Sequence, residues 1–130
     1  MEADQDWSHA TEFAAEPTSV GRARSWVGLR LIDHDLAHLV DDLQLVVSEL
    51  ATNAMVHAET SFLVTLTGAG ESVLLEVLDG AQAGPVQFAS QSLETSGRGV
   101  AIVDALSRAW GVTGHMAGGK SVWAEFDRHG

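Results

Sequence analysis

The sequence predicts an α+β domain, two layers thick, with helices on one face of a mixed or mostly antiparallel sheet. Three observations carry this. Helical and alternating stretches follow one another in the order strand, helix, helix, strand, strand, loop, helix, strand, strand. The strands are joined mainly as hairpins, which disfavours a purely parallel sheet. The chain has 130 residues, 45% of them hydrophobic, which suits one domain with a real core.

Residues 1–10 carry acidic side chains and no lysine or arginine, and are expected to fray, leaving 11–130 as a single domain. Thr11-Glu-Phe-Ala-Ala15 is a short candidate strand. Pro17 with Thr18-Ser19 fits a helix start, and Val20, Ala23, Trp26, Val27 and Leu31 then recur at helical spacing. Arg22 and Arg24 fall on the solvated side of that helix. Asp33-His34-Asp35 breaks the pattern. A second helix runs from about His38 to His57, with Leu43, Val47, Leu50 and Ala54 as its apolar stripe.

After His57 the period changes to two. Ser61–Thr67 alternates as a strand, Gly68–Ser72 makes a hairpin connection, and Val73–Leu78 is a second strand ending in Asp79-Gly80. Residues 81–96 lack periodicity and form a long loop, of the kind that is usually functional. Gly97-Arg98-Gly99 opens a helix carrying Val100, Ile102, Val103 and Leu106. Two strands close the chain, Ala109–Thr113 and Ser121–Phe126, around a glycine-rich turn.

Composition excludes several classes. A net charge of −11 and a pI near 4.7 oppose direct nucleic-acid binding, which needs a basic footprint. There is no cysteine, so disulfides, thiolate catalysis and cysteine-ligated zinc are ruled out. No apolar run is long enough to span a bilayer and the acidic N-terminus is not a signal peptide, so a cytoplasmic location without membrane contact is expected. Gly114-His-Met-Ala-Gly-Gly-Lys120-Ser121 matches the phosphate-loop pattern letter for letter. That motif works only where the loop leads into a helix, and here an alternating strand follows. It reads as a hairpin turn, from which Lys120 either approaches a ligand or, as the favoured reading, is solvated.

Three stretches can carry chemistry. Glu49 and Asn53, four apart, are neighbours on one flank of the second helix. They read either as a solvated face or as a site in which Asn53 offers an amide oxygen to magnesium and Glu49 acts as general base. Asp79 reads either as a turn-forming Asp-Gly or as an acceptor for the exocyclic amino group of adenine, which guanine lacks at that edge. Gly97-Arg98-Gly99 reads either as a capped helix start or as a place where backbone amides and the helix dipole meet phosphates.

Taken in order, Ser48-Glu-Leu-Ala-Thr-Asn-Ala-Met-Val-His57, Val77-Leu-Asp-Gly80, Gly97-Arg-Gly-Val100 and Gly119-Lys-Ser-Val-Trp-Ala-Glu125 resemble the Bergerat-fold (GHKL) ATPases. Within that superfamily the wording is most similar to the anti-sigma-factor serine/threonine kinases and their actinobacterial relatives. The resemblance spans residues 11 to 126. It implies ATP and magnesium as cofactors, held between the helices and a lid formed by 81–96. It assigns Glu49 to general base and Asn53 to magnesium. Asp79 with Gly80 and His57 fall to the adenine or sugar side, and Gly97, Arg98, Gly99 and Val100 to the phosphates. Trp110 and Trp123 match core positions.

The resemblance further implies a kinase acting on an anti-sigma antagonist protein. The alternative is a non-catalytic, nucleotide-gated module that sequesters a sigma factor or another regulator. A homodimer is the expected assembly. One departure favours the alternative: where relatives carry another glycine two residues into the second motif, this chain has Ala81 or Gln82, and the next glycine is Gly84. A detached histidine-kinase domain fits less well, because His34 and His38 lie in or beside a loop rather than on a dimerisation helix.

Overall fold

The computed structural model describes residues 6–58, 60–80, 97–114 and 119–130, with the side chains of 57, 58 and 97–100 outside the description. Among these residues five strands form one sheet: β1 (Trp7–Phe13), β2 (Phe62–Ala69), β3 (Ser72–Asp79), β4 (Ala109–Gly114) and β5 (Lys120–Asp127). Their spatial order is β1-β2-β3-β5-β4, and every neighbouring pair is antiparallel. Among the described residues three α-helices accompany them: α1 (Thr18–Asp33), α2 (Val40–Asn53) and α3 (Gly97–Leu106). The α+β class is as expected, and the mixed option resolves to a wholly antiparallel sheet.

Alternation makes the layers. In β2 and β3 every second residue is buried, giving Phe62, Val64 and Leu66 beside Val73, Leu75 and Val77. Antiparallel register sets Val64 against Val77 and Leu66 against Leu75, and β5 continues the stripe with Val122, Ala124 and Phe126. Ala23, Val27 and Leu31 of α1 and Leu43, Val46, Val47, Leu50 and Ala51 of α2 complete the core. Each such large aliphatic side chain contributes about 1.5–3 kcal/mol by leaving water.

The elements end for identifiable reasons. At the end of α1, Asp35 takes a left-handed φ of 62°. Leu36 N–H then donates to Leu31 O (2.9 Å) and Asp35 N–H to Ile32 O (3.1 Å), the paired bonds that close a helix. A 3-10 turn (Ala37–Leu39) leads into α2. Immediately after Asn53 the hydrogen-bond spacing widens into a π turn (Ala54–Ala58), a local irregularity that often accompanies functional sites.

β1 begins at Trp7, inside the stretch expected to fray. Its inward residues Trp7, His9, Thr11 and Phe13 alternate correctly, but two are polar and mask the pattern. His9 and His34 share a hydrogen bond between their Nε2 atoms (2.9 Å), and Trp7 stacks on His34 with centroids 3.9 Å apart. Trp110 packs against the core as expected, its Nε1 donating to Asp104 Oδ1 at 3.1 Å. Trp123 does not. It lies opposite Glu76 and Gly111 on the sheet face away from the helices, half-buried, where a Cβ on Gly111 would come within 2.6 Å of its ring.

Candidate functional site

α2 carries the first two candidate residues, and both are buried rather than solvated. Glu49 is 9% exposed and Asn53 6%, although each sits on the polar flank of the helix. Burial of a carboxylate and a carboxamide one turn apart is costly unless they have a task or partners. The Asn53 amide nitrogen Nδ2 is buried without a hydrogen-bond partner among the described residues. Because the two ends of a carboxamide are assigned from their surroundings, this marks a group with one unmatched end. The following π turn sets Asn53 at the point where the helical spacing changes.

The flank is braced from α1. Arg24 Nη1 donates to Ser48 Oγ (2.8 Å), Ser48 Oγ donates to Gln44 O (2.8 Å), and Gln44 Nε2 donates back to Arg24 O (3.0 Å). Arg24, expected on a solvated face, is therefore half-buried and ties α1 to the turn that carries Glu49. Arg22 is exposed, as expected.

Asp79 is the last residue of β3, the central strand, against which both α2 and the π turn pack. Gly80 follows, its N–H donating to Thr60 Oγ1 at 3.1 Å. Asp79 is not a solvated turn former. It pairs with Lys120, whose Nζ lies 2.7 Å from Oδ2, and the two side chains are 2% and 1% exposed. This corrects the expectation of a solvated lysine. β5 starts one residue earlier than the alternation suggested, and its register sets Lys120 directly across from Asp79. Gly119 makes that start possible: its φ is +93°, and a Cβ there would lie 2.4 Å from the Asp79 carbonyl oxygen. The strand that follows Gly119 also disposes of the phosphate-loop match, which would need a helix.

Gly97, Arg98, Gly99 and Val100 form the first turn of α3, which packs on α2. Their side chains lie outside the described residues, as does that of His57. The expected lid, 81–96, is outside them altogether, including Ala81, Gln82 and Gly84. The elements bearing Glu49, Asn53, Asp79 and the Gly97 turn are thus packed on one another. Sequence reasoning missed the burial of Lys120 against Asp79, the part of Gly119 in starting β5, Thr60 and the Arg24–Ser48–Gln44 ring.

The donor chemistry fits magnesium. No cluster of three or more histidine, cysteine, aspartate or glutamate side chains suited to a metal exists among the described residues. A cation held by one amide oxygen, with water and phosphate oxygens for the rest, matches how magnesium is usually carried. The Asn53 amide can supply that oxygen. Among the described residues no helix is long and apolar enough to cross a membrane.

Comparison with known proteins agrees with this architecture. Among solved structures, the RsbU and RsbW domains of Rv1364c from Mycobacterium tuberculosis match with a TM-score of 0.70 at 20% sequence identity. The match covers 93% of this chain and 32% of that one, so the present chain spans about a third of its length. A comparison with curated proteins found no match. Residues 13–126 match the family model of the histidine kinase-like ATPase domain. Over residues 13–126 the chain belongs to the family of histidine kinase-like ATPase domains, a membership that implies ATP binding.

Proposed function

We propose that this chain is an ATP-binding regulator of the anti-sigma type, acting as a serine/threonine protein kinase on an antagonist protein. The observation that carries the reading is the buried Glu49/Asn53 pair, with an unmatched amide end, on a helix packed against the strand that ends in buried Asp79. The motif wording around Ser48–His57 supports the anti-sigma branch. Asp79 accepts the adenine 6-amino group, with Gly80 and His57 beside the base and sugar. The amides of Gly97, Arg98, Gly99 and Val100 face the phosphates at a helix N-terminus. Magnesium, when bound at Asn53, neutralises phosphate charge.

The transfer is a simple exchange of bonds. The substrate hydroxyl oxygen attacks the γ-phosphorus, the bond to the β–γ bridging oxygen breaks, and ADP leaves. Glu49 orients the hydroxyl and takes its proton. Incubation with γ-labelled ATP and the antagonist encoded nearest the gene tests this. Label should appear on a serine or threonine of the antagonist, and Glu49→Ala should abolish it. Equal transfer by that variant sinks the proposal.

A second reading is kept because of Ala81 and Gln82 in place of a motif glycine: a nucleotide-gated module that captures a sigma factor without turnover. Tight, ATP-dependent capture with no phosphorylation selects it. In either case calorimetry should show binding of MgATP and none of MgGTP. Binding of both would show that Asp79 does not read the base.

A further inference from the structure

We propose that Lys120 is a base-recognising residue: its ammonium and the Asp79 carboxylate act together as a donor–acceptor pair on the adenine edge. The inference rests on the ATP-binding reading above and refines the base end of that site. Lys120 is the only lysine in the chain, and lysine is among the residues least often buried. Here it is 1% exposed, with Nζ 2.7 Å from Asp79 Oδ2. Taking both charges out of water is expensive, and apolar side chains of similar volume often serve a fold equally well or better. A structural role alone therefore explains this pair poorly. Its place is specific: the facing ends of β3 and β5, next to Gly80 and Thr60, where the chain leaves the sheet toward residues 81–96.

The chemistry of the two groups is complementary. A carboxylate only accepts and an ammonium only donates. Side by side they offer one acceptor and one donor at hydrogen-bond spacing. Adenine presents the matching order on adjacent atoms, an amino group that donates and ring nitrogen N1 that accepts. Asp79 takes the first and Lys120 serves the second. Guanine in the same seating sets its carbonyl against the carboxylate and its N1–H against the ammonium. Both contacts are then repulsive, so the pair rejects GTP more sharply than Asp79 alone would.

Calorimetry on the full chain with magnesium and four nucleotides tests this: ATP, 1-deaza-ATP without the N1 acceptor, purine riboside triphosphate without the amino group, and 7-deaza-ATP as control. ATP and 7-deaza-ATP should bind alike. The other two should each bind about tenfold or more weakly, the loss expected for a hydrogen bond to a charged group. In Lys120→Met the 1-deaza penalty should vanish while the purine riboside penalty remains. Since that variant removes the lysine charge from beside a buried carboxylate, Asp79→Asn/Lys120→Met, with neither charge, is a second carrier of the same test. A 1-deaza penalty that is absent in the unaltered chain, or that survives in both variants, overturns the proposal. So does tighter ATP binding by Lys120→Met, which would make the lysine a competitor of the base. Failure to bind ATP, or a purine riboside analogue binding as well as ATP, overturns the underlying site assignment instead.

Discussion

Replacing Gly119 with alanine should damage this domain far more than its place in a glycine-rich stretch suggests. Its φ is +93°, a conformation that side chains with a Cβ rarely adopt. Holding a non-glycine residue there costs about 1–3 kcal/mol. The new Cβ would also lie 2.4 Å from the carbonyl oxygen of Asp79, in the backbone of the central strand, where no side-chain rotation gives relief. Overpacking of this sort adds about 1–3 kcal/mol, for a total of about 2–6 kcal/mol. Domains are stable by about 5–15 kcal/mol. With a urea slope of about 1–3 kcal/mol per molar, the midpoint should fall on the order of 2 M. Urea unfolding followed by tryptophan fluorescence reads it. Gly21→Ala is the matched control: a Cβ there meets nothing within 4 Å, and Gly21 is exposed inside α1. It should stabilise by about 0.5–1 kcal/mol. If Gly119→Ala shifts stability by less than ~0.5 kcal/mol, Gly119 does not set the start of β5. The account of Lys120 opposite Asp79 would then need another cause.

Other consequences can be checked separately. Asn53→Ala should cost less than about 1 kcal/mol of stability, because Nδ2 has no hydrogen-bond partner to lose among the described residues. It should nevertheless remove the magnesium-dependent part of ATP binding, seen by calorimetry with and without EDTA. Leu43→Ala, at a fully buried site, should cost about 2–5 kcal/mol in urea unfolding. The His34 pKa is lowered, first by burial and then by His9. The unfolded chain therefore takes up that proton at higher pH, so the stability is intact above about pH 6.5 and is lost as pH falls through the lower folded value. Urea midpoints between pH 7.5 and 5.5 should fall less steeply in His34→Gln. Glu125 is held below its usual pKa by the Ser72 hydroxyl and then by Arg108. Its contribution is present above about pH 4.3 and lost on acidification, so Glu125→Gln should flatten the acid limb of the stability profile.

Much of the fold was legible because its signals are local. The period of two in β2 and β3 and the apolar stripe of α2 identify their elements directly. What was missed depends on partners far along the chain. β1 hides its alternation because His9 and Thr11 occupy inward positions, and His9 is satisfied by His34, 25 residues away. Trp123 looks like core by type, yet strand parity places it opposite Glu76 on the other face. Arg24 looks solvated until Ser48, on the next helix, accepts its hydrogen bond.

The site shows the same division more sharply. Glu49, Asn53 and Asp79 stand out by residue type and spacing, but spacing cannot tell a solvated flank from a buried one. Lys120 stayed hidden because the strand was begun at Ser121, which left the lysine in a turn. Parity could have found it. Phe126, Ala124 and Val122 share one face of β5, and two residues further along that face is Lys120. Val73, Leu75 and Val77 share one face of β3, and two residues further is Asp79. A charge ending a core-facing stripe must leave the sheet for water or meet an opposite charge. Two neighbouring antiparallel stripes that end in opposite charges at the same edge have only one economical solution, which is to pair. The pair therefore marks where the apolar core stops. The contact proposed between Lys120 and the base lies at that boundary, where the polar groups of the site begin.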